Sequence, residues 1–293
     1  MNRNGKNPAR IWFTAVCLAI LASACNPDSG SSPAEQARDG TSSSSSSKGN
    51  GQSAEGDAFQ HAVITDTLAY GEVDEQIVKG HFAFPEDKVG TSPAIILVHE
   101  WWGLNEEMRL LANQFAAEGF IVLAVDLFNG ETADTAVVAR KLMLNVFEQP
   151  QLAEENLRQA CGWALDIAGA SQVAVVGYGF GGGWSLNAAL SMPDQVDAAV
   201  MFYGRVSENE EVLTALEVPL LGFFGGEDNS IPVESVKNFE TVLKNLGKPG
   251  EVIIYPGGKS GFANPGSRNY YQNLAEISWR RMMEFLNHNL ATT

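Results

Sequence analysis

From about Ala58 onward, short apolar runs alternate with amphipathic stretches, and this pattern confines the chain to a mainly parallel sheet covered by helices on both faces. The run 95–98 lies between Pro93 and the polar pair His99-Glu100, as a strand buried on both faces requires. The run 120–125 repeats the form and ends at Asp126; the runs 173–176, 198–202, 220–224 and 252–255 follow it. Between them, Asn105 reads as a helix N-cap with Glu106 and Glu107 in the first turn, where the helix dipole favours acids. Further helices are predicted over 134–147, 151–168, from a glycine-rich turn to about Leu190, over 233–246 and over 270–288. Nothing within 60–290 has the composition of a linker and no internal repeat is visible, so residues 58–293 read as one domain.

The segment before that domain has a different character. Arg3, Lys6 and Arg10 precede an uncharged apolar run, 11–24, which is short for a permanent bilayer span. Leu21-Ala22-Ser23-Ala24 then leads into Cys25, a pattern that resembles the lipobox of bacterial lipoproteins. The resemblance implies a signal peptide over 1–25, a lipidated Cys25 and anchoring by two or three acyl chains in the cell envelope. Asn26 rather than Asp follows the cysteine, which points to the outer membrane where the cell has one; a plain secretory signal cleaved nearby is the other reading. Residues 26–57, rich in Ser, Gly and Pro and including the serine run 43–47, read as a disordered tether.

Charge and cysteine content exclude several functions. A net charge of −16 with only 19 Lys and Arg argues against a nucleic-acid partner, which needs a clustered basic face. Of three cysteines, Cys17 lies in the signal and Cys25 at its end, so the domain holds Cys161 alone and folds without an internal disulfide. Cys161 falls on an amphipathic stretch and reads as a small buried hydrophobe. No Cys/His cluster has metal-ligand spacing, and neither metal nor cofactor is expected.

The most specific local feature is Gly177-Tyr178-Gly179-Phe180-Gly181, directly after a buried strand and before a helix. Glycines in that context permit the sharp turn that lifts a central nucleophile over the end of a sheet. Here the central residue is Gly179, which has no side chain to attack with. A phosphate cradle is the other use of such a turn, but the spacing matches neither the Walker nor the dinucleotide pattern.

Taken together, Leu97-Val98-His99-Glu100-Trp101-Trp102-Gly103-Leu104-Asn105, Asp126-Leu127-Phe128, the elbow with Gly182-Gly183, Phe202-Tyr203-Gly204, Gly225-Gly226-Glu227-Asp228 before Ile231-Pro232, and Tyr255-Pro256-Gly257-Gly258 before Gly261-Phe262-Ala263-Asn264 resemble the dienelactone hydrolase family. The resemblance runs through nearly all of 60–290 and implies an α/β-hydrolase fold acting on lactones and esters through a Cys-His-Asp triad. It places the acid at Asp228, the nucleophile at Gly179 and the histidine at Ser260, so two of three groups are replaced. It implies an oxyanion hole from the backbone N–H groups of Trp101 and Phe180, and puts Glu100 where the family's glutamate meets the resting nucleophile. Arginines that would recognise a substrate carboxylate are not clearly kept: Asn264 stands near one such place and Arg140 matches another loosely.

The remaining polar residues offer substitutes. Ser260 and Ser230 are candidate nucleophiles, against the commoner reading of loop serines as turn residues. His99 is a candidate base, against a strand-end histidine held by structural hydrogen bonds, and His61, His81 and His288 read as surface residues near the domain's edges. Tyr178, Tyr203, Trp101 and Trp102 are expected to line the pocket. Two functions remain open: a lipid-anchored pseudoenzyme that binds a small ester, lactone or carboxylate, or a protein partner; and an active hydrolase with a relocated nucleophile or a water activated through Glu100. A purely structural membrane spacer would leave the pocket collapsed.

Overall fold

The apolar runs do form strands buried on both faces. In β3 (Ala94–Val98), β4 (Ile121–Val125), β5 (Val173–Tyr178), β6 (Ala198–Phe202) and β7 (Leu220–Gly225) every residue is buried, whereas β8 (Gly250–Tyr255) is a half-exposed edge. All six run parallel. The computed structural model describes residues 61–87 and 92–290; the signal peptide, Cys25 and the tether lie outside the described residues.

Two strands absent from the sequence reading precede these. β1 (Val63–Val73) and β2 (Gln76–Pro85) form an antiparallel hairpin, and β2 pairs antiparallel with β4, so the sheet order is β1-β2-β4-β3-β5-β6-β7-β8. The hairpin turn is Asp74-Glu75, both at positive φ (51° and 61°), in place of the Asn-Gly or Asp-Gly that normally signals such a turn. Its position corrects one expectation: His81, on β2 inside the sheet, is buried and its Nε2 lies 2.8 Å from Asn113 Oδ1. His61 is half-buried with its Nδ1 2.8 Å from Asp87 Oδ1, and His288 is exposed.

Helices begin where capping chemistry starts them. Asn105 Oδ1 accepts from Met108 N–H to start α1 (Glu106–Ala117), Thr135 Oγ1 accepts from Val138 N–H to start α2 (Ala136–Glu148), and Pro150 opens α3 (Pro150–Asp166). α4 (Phe180–Ser191) follows the glycine turn; α5 (Glu210–Leu213), α6 (Val233–Asn245) and α7 (Gln272–Asn289) complete the order. One face of the sheet packs Leu97, Val176, Phe202 and Phe223 against Phe115 of α1, Phe262, and Met282 and Leu286 of α7. On α3, Cys161 is fully buried and burial pushes its thiol up to about 12.

This topology decides where a site can form. From β3 the chain passes through α1 to β4 on one side, then crosses back to β5 on the other side of β3. The strand order reverses between β3 and β5, and a crevice opens beyond their carboxyl ends, where α/β sheets bind ligands. Val98 pairs with Gly177 across that point, so His99-Glu100 and the glycine turn leave the sheet side by side.

Candidate active site at the carboxyl edge of the sheet

The turn after β5 has the backbone of a nucleophile elbow without the nucleophile. Gly179 sits at φ 55°, ψ −112°, a conformation L side chains rarely adopt, and its N–H donates to Phe202 O at 2.9 Å. Its neighbours permit the close packing such a turn needs. A Cβ on Gly177 would fall 2.0 Å from Gly181 O, and one on Gly181 would fall 2.3 Å from Val98 O. At Gly179 the position is open: the nearest atoms to an added Cβ are Glu100 Cγ and Tyr203 Cε2, both at 3.9 Å.

Glu100 lies beside that opening. The residue is 7% exposed; Tyr203 Oη–H donates to Oε1 at 3.0 Å and Asn264 Nδ2–H to Oε2 at 2.6 Å. Burial raises its pKa, and the two donated hydrogen bonds oppose the rise. Tyr203 is held at φ 38°, an uncommon conformation for a non-glycine residue, just after β6. Burial and the neighbouring Glu100 push its phenol well above the usual range, so it acts as a donor and not as a base.

His99 is removed from the chemistry. Its ring is fully buried, Nδ1–H donates to Glu100 O at 2.6 Å, and Nε2 accepts from Leu127 N–H at 3.1 Å. With both nitrogens committed and its pKa lowered by burial, it is a neutral strut that fixes Glu100 to the loop after β4. Asp126 shapes that loop by accepting from Phe128 N–H at 2.8 Å and Gly130 N–H at 2.6 Å.

Asp228 stands where the resemblance places the acid. Asp228, in the loop after β7, is 8% exposed, and its Oδ1 accepts from Ser230 N–H at 2.7 Å and Ile231 N–H at 3.2 Å. Its Oδ2 is buried with no partner. Glu227 N–H donates to Gly258 O at 2.8 Å and so ties this loop to the one that carries Ser260.

A groove of about 1510 Å³ opens above these residues, lined among others by Glu100, Trp101, Trp102, Gly179, Phe180, Tyr203, Ser230 and Ser260. The expected aromatic wall is present in Trp101 and Trp102, whose rings lie 4.8 Å apart, and in Tyr203. Tyr178 does not belong to it: its ring is in the core, flat on Phe202 at 4.3 Å and 8°, because a strand buried on both faces hides every side chain. Sequence reasoning missed Phe147 and Trp184, which line the groove around Phe180, and Arg205 and Arg268, exposed where they line it. Arg140 is exposed on α2 and does not line it. Phe180 is the first residue of α4, so its N–H lies outside the helical ladder, as an oxyanion donor requires.

A doubly covered, mainly parallel sheet with an elbow after β5, an acid after β7 and a groove at the strand ends defines an α/β-hydrolase. The model of the dienelactone hydrolase family matches residues 78–290, and the chain belongs to that family. It is similar to an Escherichia coli protein described as "Putative carboxymethylenebutenolidase", with 30% identity over 220 residues, 70% of this chain and 80% of that one. Among solved structures it resembles a dienelactone hydrolase-like promiscuous phosphotriesterase from metagenomic libraries, with a TM-score of 0.68, 21% identity, and 78% and 100% of the two chains covered. A thermophilic esterase of the planctomycete Thermogutta terrifontis gives 0.59 at 20% identity, with 78% and 94% covered.

Proposed function

We propose that this family member binds a small ester or lactone without forming a covalent acyl intermediate. One observation carries the reading: the elbow keeps its backbone geometry at φ 55°, ψ −112°, yet ends in Gly179, which has no atom to bond to an acyl carbon. No imidazole is available to activate a substitute. Ser260 stands at the histidine position and both nitrogens of His99 are engaged. Loss of triad chemistry costs a serine hydrolase on the order of 10⁶ in kcat, with roughly 10³–10⁴ over water left to binding and the oxyanion hole. The groove and its main-chain donors are what such loss would spare. Glu100 and Asp228 beside it, with no cation paired to either among the described residues, favour a neutral carbonyl over a carboxylate as the group bound there. A lipid on Cys25 would hold the domain at the envelope surface, and Cys25→Ser should release the protein from membranes.

A second reading, hydrolysis by water activated through Glu100, draws on the carboxyl's raised pKa and its place beside the open position at Gly179. Against it, both carboxyl oxygens already accept hydrogen bonds. Incubating the full chain with p-nitrophenyl esters and lactones while following intact mass tests both. Rates within about 10⁴ of the uncatalysed reaction and no mass increase are expected. An acyl adduct, or turnover abolished by Glu100→Ala, would reject the proposal.

A further inference from the structure

After Phe180, α4 carries three glycines in a row, and packing explains only the first two. A Cβ on Gly181 would fall 2.3 Å from Val98 O and one on Gly182 would fall 2.8 Å from Phe202 O, so the approach of α4 to the sheet dictates both. On Gly183 a Cβ would meet nothing closer than 3.7 Å, at Arg205, which is an ordinary contact. Inside a helix alanine is more stable than glycine, so the fold gains nothing from this third one. What sets Gly183 apart is its place: it lines the groove, and Gly181 and Gly182 do not.

Gly183 is part of a stripe. Phe180, Gly183, Asn187 and Leu190 follow one another at three- and four-residue spacing, so they share one face of α4, and all four line the groove. At 1.5 Å per residue the stripe runs about 15 Å from Phe180, whose N–H is the candidate oxyanion donor, to Leu190. Trp184 and, from α2, Met143 and Phe147 line the groove with it. The Phe147 ring lies 5.6 Å from that of Phe180 and 6.5 Å from that of Trp184, yet the residue is 44% exposed, an apolar wall that the protein leaves uncovered. Every residue that α2 and α4 contribute to the lining is uncharged, and the one polar side chain of the stripe, Asn187, donates to Glu154 Oε1 at 3.2 Å. A long uncharged strip, bare of side chain at Gly183 and continuous with the carbonyl site, matches a flexible hydrocarbon chain, which gains from burial and asks for no hydrogen-bond partner.

We propose that the ligand of this site carries a linear, uncharged hydrocarbon chain, which runs from a carbonyl at Phe180 along α4 and over the floor left bare by Gly183. This rests on the ligand-binding reading and names its substrate class: esters or alkyl-substituted lactones of medium chain length. Gly183 sets the depth of the channel and Leu190 its far end.

The test uses the full chain and a series of neutral methyl ketones, 2-butanone, 2-hexanone, 2-octanone and 2-decanone, titrated by ligand-observed NMR. Affinity is expected to rise about two- to fourfold with each added methylene. Gly183→Ala should melt about 1–4 °C above the parent, because the fold does not need this glycine. Gly183→Leu, a good helix former whose side chain fills the floor, should cut the ratio of 2-decanone to 2-butanone affinity at least tenfold; cooperative melting checks its fold. Gly183→Ala melting below the parent, or a chain-length ratio that survives Gly183→Leu, would overturn the proposal. Binding of all four ketones with equal affinity would overturn it and leave the neutral-carbonyl reading standing, whereas binding of none would overturn both. No ketone can be hydrolysed, so each result is independent of whether acyl transfer is lost.

Discussion

Alanine placed in turn at the three elbow glycines should separate conformational strain from steric exclusion. At Gly179 a Cβ meets nothing closer than 3.9 Å, so the cost is that of holding an L residue at φ 55°, about 1–3 kcal/mol. At Gly177 the Cβ would fall 2.0 Å from Gly181 O, a backbone atom that moves only if α4 leaves the sheet, and at Gly181 it would fall 2.3 Å from Val98 O. Those two changes should exceed about 5 kcal/mol, a large part of the 5–15 kcal/mol that usually separates folded from unfolded states. In a thermal melt, where a domain of this size moves about 2–4 °C per kcal/mol, Gly179→Ala should melt about 2–12 °C below the parent. Gly177→Ala and Gly181→Ala should yield little folded protein. If Gly177→Ala proved no worse than Gly179→Ala, the assignment of this turn as a preserved elbow would be wrong.

Three further outcomes follow from the buried groups. Tyr203→Phe takes one of its two donors from the buried Glu100 carboxyl and should cost about 1–3 kcal/mol, more where Glu100 is ionised than at pH 4, where it is protonated; urea titrations across pH measure it. Because burial raises the pKa of Glu100, its ionisation destabilises the fold, so its contribution falls as pH rises from the unfolded value near 4.5 through the folded one. His99, whose pKa is lowered, works in the opposite direction: below about pH 6.5 the unfolded state takes up its proton first, stability drops with falling pH, and His99→Gln should flatten that slope in pH-dependent melts. Cys161 should resist alkylation by iodoacetamide in the native protein and react in urea, read by peptide mass.

The parallel half of the sheet was legible because its strands are apolar on both faces and end in polar residues, and Asn105 caps the helix it was assigned to. The hairpin was not, because Asp74-Glu75 carries none of the glycine or asparagine that marks a tight turn, and His81 was misplaced with it. Family spacing put Gly179, Ser260 and Asp228 at one edge of the fold, and Gly179 and Ser260 do line one groove, next to the loop of Asp228. Tyr178 was beyond its reach, since period-two alternation carries no information in a strand buried on both faces. So was the role of Asn264, which depends on a hydrogen bond to a residue 164 positions away, and so was the unpartnered Oδ2 of Asp228.

Restoring the missing chemistry decides whether this scaffold lacks anything else. The double variant Gly179→Cys with Ser260→His, assayed against the same esters and lactones as the parent, should gain a reactive thiol, an acyl adduct on residue 179 detectable by mass, and turnover absent from either single variant. Hydrolysis by the parent at the rate of the double variant, through any side chain of the groove, would contradict the loss of covalent catalysis.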